Sequence, residues 1–307
     1  MKYIFFGTPK FAAIVLEKLI NAGYIPEAVI CNPDEPIGRK QILTPPPTKI
    51  LARKYGINIL QPEILANYKL QITNHKPDLA IVAAYGKILP KEILEIPKHG
   101  FINIHGSLLP KYRGASPIQS AILNGDKETG ITIMKVDEEI DHGPIISNVK
   151  IQISDDDTYE ILSQKLAVTG AELLTKVIPD YIYGKIEPVA QDHSKATYTK
   201  IIKKEDGKID WSKSAEEIER MTRAFYPWPT AWAIWNNKIL KIIRADITGG
   251  NNHEIGQIFL TNKKELAVKC GSGSLIIKKM QLEGGKILSA KEFLNGHKDF
   301  FNEDCLK

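Results

Sequence analysis

The stretch YIFFGTPKFAAIVLEKLINAG, residues 3–23, decides the fold class. It opens with four apolar and aromatic residues in a row, which is typical of a strand buried on both faces of a sheet. From Lys10 onward apolar residues recur at helical spacing until Gly23, a common residue at a helix end. A buried strand followed at once by an amphipathic helix predicts the start of a βαβ unit, and hence a mostly parallel sheet.

The same alternation continues along the first half of the chain. Further strands are predicted at residues 27–31, 57–60, 78–85, 101–105, 131–141 and 144–153. Helices are predicted at residues 48–56, about 63–74 and 158–183. We therefore predict an α/β, Rossmann-like domain over residues 1–184, with its mostly parallel sheet covered by helices on both faces.

The pattern changes after Gly184. Residues 185–207 are polar and charged without periodicity, and we interpret them as a linker. A helical pattern at 214–225 is then followed by several short strands separated by Gly and Asn turns, and by a short helical pattern at 289–296. These features predict a smaller β-barrel (OB-like) C-terminal domain over residues 208–307.

Composition describes an ordinary globular protein of 307 residues, 43% hydrophobic and 25% charged. No run approaches the roughly 20 apolar residues that span a bilayer, and the first apolar run is too short for a secretory signal. The cysteines match neither a disulfide framework nor a metal-ligand spacing, so we expect a reducing, cytoplasmic location. They are Cys31, Cys270 and Cys305.

The charge is distributed unevenly. The formal net charge is +5, and residues 208–307 hold 16 Lys and Arg against 12 Asp and Glu, so most of the excess lies in the C-terminal third. A mildly basic balance is by itself only a weak indication of a nucleic-acid partner.

The turn FFGTPKFA, residues 5–12, occupies the place of a dinucleotide-binding fingerprint. It has one of the three glycines that the fingerprint needs, and Cys31 and Asn32 stand where an acidic residue would bind the ribose. We therefore interpret it as a tight turn that opens a helix, and not as a nicotinamide or flavin site.

The stretch FINIHGSLLPKYRG, residues 101–114, carries the main candidate site. Residues two apart on a strand point to the same face, so Asn103 and His105 are expected side by side. They stand at the carboxyl end of a strand, where ligands bind in open α/β sheets. The alternative is a pair of polar residues satisfied by neighbouring backbone. The Gly- and Pro-containing loop that follows favours a functional pair.

A carboxylate at the end of another strand would complete this site, because it can orient an imidazole. Asp137 and Asp141 both qualify, and spacing alone does not choose between them; His142 would point away from Asp141 in an extended chain. An amide suits an oxyanion and an imidazole suits proton transfer. Ser107 lies too far along the loop for a nucleophile elbow, and no further His or Cys falls at ligand spacing for a metal. The group fits direct acyl transfer to an amine.

Two segments, INIHGSLLPKYRGASPIQ and ETGITIMKVDEEIDHGPI, resemble the 10-formyltetrahydrofolate-dependent formyltransferases. The resemblance implies that Asn103, His105 and Asp141 are the catalytic residues, and it selects Asp141 over Asp137. It also implies 10-formyltetrahydrofolate as co-substrate, with no metal. The implied folate-binding residues are Ser107, Leu108, Leu109 and Pro110.

The rest of the chain resembles the members of this family that formylate methionyl initiator tRNA for translation initiation. The segments concerned are FFGTPKFA, NPDEPIGRKQILTPPPTK, AAYGKILP, IDWSKSAEEIERMTRAFYPWPTAW and the β-rich C-terminal unit. This implies a one-carbon transferase whose C-terminal domain binds tRNA. It also implies that Arg39 and Lys40, in an inserted loop, contact the tRNA. We expect a monomer with no membrane association.

Other interpretations stay open at this point. A related enzyme would act on a sugar nucleotide or another small amine, or would hydrolyse the folate. A protein of a different class would bind RNA on the same scaffold without catalysis. Trp228, Trp232 and Trp235 suggest base stacking, but three closely spaced aromatic residues flanked by prolines favour core or hinge packing.

Overall fold

The structure is a computed structural model that describes residues 1–38, 40–249, 252–302 and 305–306. Its contacts divide the chain into two compact units. The first comprises Met1–Pro117, Glu128–Gln152 and Ser163–Lys200. The second comprises Ile118–Lys127, Ile153–Leu162 and Ile201–Lys307.

The first unit is built on a seven-stranded sheet and two small ribbons. Its strands are β1 (Tyr3–Gly7), β2 (Ala28–Ile30), β3 (Glu35–Ile37), β4 (Ile42–Thr44), β5 (Asn58–Leu60), β6 (Leu79–Ala83), β7 (Phe101–His105), β8 (Arg113–Gly114), β9 (Glu128–Lys135), β10 (Ile145–Gln152) and β11 (Tyr198–Thr199). The large sheet has the order β10-β9-β7-β6-β1-β2-β5. The five strands from β7 to β5 pair in parallel, and β9 and β10 are added antiparallel.

The helices are α1 (Lys10–Asn21), α2 (Pro47–Lys54), α3 (Lys69–Asn74), α4 (Lys91–Leu94), α5 (Pro117–Leu123), α6 (Tyr159–Ile182), α7 (Ala215–Ala224) and α8 (Ala290–Gly296). They include those that the sequence predicted, together with two, α4 and α5, that it did not. None of the helices in the described ranges has the length and apolar character that spanning a bilayer requires. The core of the first unit includes Phe6. Its ring packs edge-on against Tyr85, with ring centroids 5.3 Å apart, and against Phe101, with centroids 5.2 Å apart.

The second unit carries an antiparallel sheet. Its strands are β12 (Ala231–Trp235), β13 (Lys238–Thr248), β14 (Ile258–Leu260), β15 (Leu266–Lys269), β16 (Ser274–Leu282) and β17 (Leu288–Ser289). They follow the order β12-β13-β16-β15-β14, with β17 on β16. This sheet curls into a half-barrel, which confirms the predicted fold class of a Rossmann-like domain and a smaller barrel-like domain. Of the three tryptophans expected in core or hinge packing, Trp235 is buried against Phe293 and Phe300, whereas Trp228 is 56% exposed.

The strand predicted at 131–141 is shorter than expected. Strand β9 ends at Lys135, so Asp141 lies in the following turn and not at a strand end. The Asp137 carboxylate accepts a hydrogen bond from the Glu139 backbone N–H at 3.0 Å. This bond closes a local turn where the strand was predicted to continue. The chain then returns so closely that a Cβ on Gly143 would lie 2.0 Å from the Lys135 carbonyl oxygen.

Two other segments have more structure than the sequence predicted. The inserted loop at residues 32–49 contains the hairpin of β3 and β4, which pair antiparallel. Of the residues predicted as linker, 185–200 cluster with the first unit and 201–207 with the second.

Candidate active site

Strand β7 brings Asn103 and His105 to a common carboxylate. Asn103 Nδ2 donates to Asp141 Oδ1 at 3.3 Å. His105 Nδ1 lies 3.5 Å from the same oxygen, and the His105 side chain is 5% exposed. The structure therefore places together all three residues predicted to be catalytic. A largely buried position strengthens their electrostatic interactions relative to water.

The Asp141 carboxylate is fixed from its other side by backbone. Its Oδ2 accepts a hydrogen bond from the Gly114 N–H at 2.8 Å. Gly114 has a φ of 104°, and a Cβ there would lie 2.9 Å from the Thr199 carbonyl oxygen, so only glycine fits. Asp141 itself has a φ of 49°, a left-handed conformation that a non-glycine residue keeps only where its surroundings hold it.

The hydrogen bonds of His105 define its tautomer. Nε2 lies 2.9 Å from the Tyr112 carbonyl oxygen. Because a carbonyl oxygen can only accept, Nε2 carries the proton. In the neutral ring Nδ1 is then the nitrogen that can take up a proton, and it faces Asp141.

Asp137, the other carboxylate left open by spacing, has a different partner. Its Oδ2 lies 2.7 Å from Nδ1 of His142. The His142 ring in turn stacks on His193, with centroids 4.1 Å apart and planes at 7°. The structure thus places Asp137 beside His142 and Asp141 beside His105.

The loop from Ser107 to Pro110, predicted to bind folate, is held by its neighbours. The Ser107 hydroxyl, which is fully buried, donates to the Lys111 carbonyl oxygen. The Thr132 hydroxyl donates to the Ser107 carbonyl oxygen at 2.7 Å and accepts from the Leu109 N–H at 3.0 Å. Ser107 therefore shapes the loop, while Leu108 and Pro110 keep partly exposed surface for a ligand.

Sequence reasoning missed several residues that support this site. They are Tyr112, Gly114, Thr132 and Gln191. Thr132 had a detectable signal, since it is a polar residue within the apolar run ITIM and pairs with His105 across the sheet. Gln191 had none, because its neighbourhood shows no periodicity.

Of the two residues predicted to contact tRNA, the structure describes only Lys40. Arg39 lies outside the described residues. Lys40 is exposed, in the turn between β3 and β4.

Comparisons with known proteins cover both units. The sequence matches the family "Formyl transferase" over residues 1–178 and "Formyl transferase, C-terminal domain" over residues 201–298. The chain is 46% identical over 297 residues to the methionyl-tRNA formyltransferase of Thermodesulfovibrio yellowstonii, covering 96% of each protein. It is 43% identical over 300 residues to that of Halalkalibacterium halodurans, covering 96% of this chain and 95% of the relative.

Solved structures share the fold at lower identity. An N-formyltransferase from Helicobacter canadensis, in complex with folinic acid and dTDP-3-aminofucose, has a TM-score of 0.68 at 23% identity, covering 90% of this chain and 98% of that one. The methionyl-tRNA formyltransferase from Clostridium thermocellum has a TM-score of 0.58 at 20% identity, covering 82% and 95%. On the family matches and the near full-length relatives, this chain belongs to the formyl transferase family.

Proposed function

We propose that this enzyme transfers the formyl group of 10-formyltetrahydrofolate to the α-amino group of methionine carried by initiator tRNA. The observation that carries the proposal is the shared Asp141 carboxylate, which joins Asn103 and His105 at one end of strand β7. The near full-length similarity to proteins named methionyl-tRNA formyltransferase supports the choice of acceptor.

The side chains divide the chemistry between them. An unperturbed α-amino group has a pKa of about 7.7–8.0, so much of it is protonated at neutral pH and must lose a proton to attack. His105 accepts that proton at Nδ1, where the Asp141 carboxylate stabilises the resulting imidazolium. Asn103 uses one amide N–H on Asp141 and has a second for the oxyanion that forms on the formyl oxygen when the amine adds to the formyl carbon. The bond from the formyl carbon to the amine then replaces the bond to the folate nitrogen, which takes up a proton.

The folate is proposed to bind along Ser107, Leu108, Leu109 and Pro110. Two buried polar atoms support a ligand at this edge of the sheet. The Asn32 side-chain oxygen and the Tyr85 hydroxyl have no hydrogen-bond partner within the described part of the chain. They follow strands β2 and β6, whose carboxyl ends share an edge with that of β7. Burial raises the pKa of Tyr85 to about 12, and its protonated hydroxyl can donate a hydrogen bond at neutral pH.

The tRNA is proposed to contact Arg39 and Lys40, and to bind the basic C-terminal domain through its phosphates. We further propose domain limits of 1–184 for catalysis, 185–207 for the linker and 208–307 for tRNA binding, in a cytoplasmic monomer.

Replacing Arg39 with Ala should raise the KM for tRNA and leave the KM for folate unchanged. An unchanged KM for tRNA would remove the loop from this account.

A comparison of acceptors tests the function. The full chain is incubated with 10-formyltetrahydrofolate labelled in the formyl group and with charged initiator tRNA, a dTDP-linked amino sugar, or water alone. The proposal expects label on the methionyl-tRNA. Label on the sugar, or release as formate at the same rate without tRNA, would establish the alternative enzymes. Binding of tRNA with no transfer would establish a non-catalytic RNA-binding protein.

A further inference from the structure

Residues 189–200, here named the bridging segment, lie within the first unit beside the candidate active site. Val189 and Ile145 exchange two backbone hydrogen bonds, at 2.7 and 2.8 Å. Further along, strand β11 of the bridging segment pairs in parallel with β8. Both ends of the segment are therefore tied to loops that shape the site, although its sequence predicts a linker.

Gln191 is the buried centre of the bridging segment, at 5% exposure. Its Nε2 donates to the Asp141 carbonyl oxygen at 2.9 Å and to the Gly143 carbonyl oxygen at 2.7 Å. Its Oε1 accepts from Arg113, from Nη2 at 2.7 Å and from Nε at 3.2 Å. Both N–H groups and the oxygen of the amide are therefore used.

Arg113 fixes which way this amide points. Its side chain is 2% exposed, and a guanidinium can only donate hydrogen bonds. The amide oxygen must therefore face Arg113, which leaves the amide nitrogen facing the two carbonyl oxygens. Arg113 is itself held, since Nη2 lies 2.8 Å from His193 Nδ1 and Nη1 donates to the Tyr198 hydroxyl at 3.3 Å.

The turn that Gln191 holds carries the Asp141 carboxylate on a left-handed backbone conformation. Asp141 has a φ of 49°, and a residue in this conformation needs its surroundings to keep it there. Gln191 bonds the carbonyl oxygens on either side of His142, at Asp141 and Gly143. A small change in this turn would move the Asp141 carboxylate away from Asn103 and His105.

We propose that Gln191, oriented by Arg113, is a positioning residue that keeps the Asp141 carboxylate in reach of Asn103 and His105. This inference rests on the proposed function. It gives part of the predicted linker a task in catalysis. The Gln191 amide then has two roles: its oxygen accepts hydrogen bonds from the buried Arg113, and its nitrogen holds the turn at Asp141.

The variant Gln191→Glu separates these two roles. Glutamate keeps acceptors for Arg113, and it replaces the donor by an oxygen that repels both carbonyl groups. The same substitution at an exposed residue of α6, Gln164→Glu, is the matched control. Formyl transfer to charged initiator tRNA is measured with kcat and KM determined for each substrate, and thermal unfolding is recorded for all proteins.

We expect Gln191→Glu to lower kcat by about 10- to 100-fold, because misplacing a catalytic group by about 1 Å has an effect of that order. Both KM values should stay within about threefold of wild type, and Gln164→Glu should match wild type. A kcat within threefold of wild type in folded Gln191→Glu would overturn the inference. So would a loss confined to KM.

Should Gln191→Glu not fold, Gln191→Met serves with the same criteria. It removes both the donor and the acceptor for Arg113 without adding a charge, and it keeps a side chain of similar length. A wild-type protein without formyl transfer would instead refute the proposed function, so the two failures are distinguishable.

Discussion

Replacing Thr132 with Val should destabilise the first unit and loosen the loop proposed to bind folate. Thr132 is fully buried, and its hydroxyl bonds the Ser107 carbonyl oxygen and the Leu109 N–H. Valine has nearly the same shape and bonds neither group. A buried backbone group left without a partner costs about 1–3 kcal/mol, so two of them lower the free energy of unfolding by about 2–6 kcal/mol.

Thr129 on the same strand provides the control. It is 3% exposed, and its hydroxyl has no hydrogen-bond partner among the residues that the structure describes. Thr129→Val therefore removes a buried hydroxyl that makes no hydrogen bond. The free energy of unfolding should stay the same or rise by about 1 kcal/mol.

Urea unfolding followed by far-UV circular dichroism measures both variants. Tryptophan fluorescence is unsuitable, because all 4 tryptophans lie at or after residue 211 and none in the strands of the first unit. The midpoint should fall for Thr132→Val only, with the slope unchanged. The KM for 10-formyltetrahydrofolate should rise in parallel. Equal shifts in the two variants would refute the hydrogen-bond argument.

Two further predictions concern the turn and the thiols. Gly143→Ala would place a Cβ 2.0 Å from the Lys135 carbonyl oxygen, so the turn must shift and kcat should fall by about tenfold or more. A Cβ on Gly296 would meet no atom within 4 Å, so the control Gly296→Ala should retain wild-type kcat. Equal kcat values for the two variants would contradict the packing argument. Burial raises the pKa of Cys270 to about 11 and raises that of Cys31, so both stay protonated at pH 8. Ellman's reagent at that pH should titrate at most one thiol in the native protein and three in guanidinium; fast reaction of two native thiols would count against this burial.

Local periodicity carried most of the fold prediction. The buried strand YIFF and the helix after it follow from the spacing of apolar residues, and the pairing of Asn103 with His105 follows from the alternation of side chains along a strand. Both rules depend only on residues that are close together in the sequence.

The position of Asp141 could not be predicted in this way. The run VDEEID reads as the continuation of a strand, but in the structure the Asp137 side chain closes a turn and the chain returns to Lys135. The choice of Asp141 over Asp137 came from resemblance. In the structure the two carboxylates have different histidine partners: Asp141 lies beside His105 and Asp137 beside His142.

The bridging segment was missed for a different reason. Its stabilising contacts run from side chains to backbone groups far away in sequence, such as Gln191 to Asp141 and Thr197 to Tyr112. Contacts of this kind leave no repeating pattern, so the sequence resembles a linker. Arg113, on the short strand β8, is buried and therefore needs such partners, but its burial is visible only in the structure.

Single-turnover formyl transfer by Asn103→Ala tests the central claim most directly. Enzyme in excess over charged initiator tRNA, with saturating 10-formyltetrahydrofolate, reports the chemical step for wild type, for Asn103→Ala and for the exposed control Asn148→Ala on β10. Loss of one oxyanion donor should slow this step by about 10²–10³-fold, with Asn148→Ala unchanged. A rate for Asn103→Ala within threefold of wild type would contradict the account.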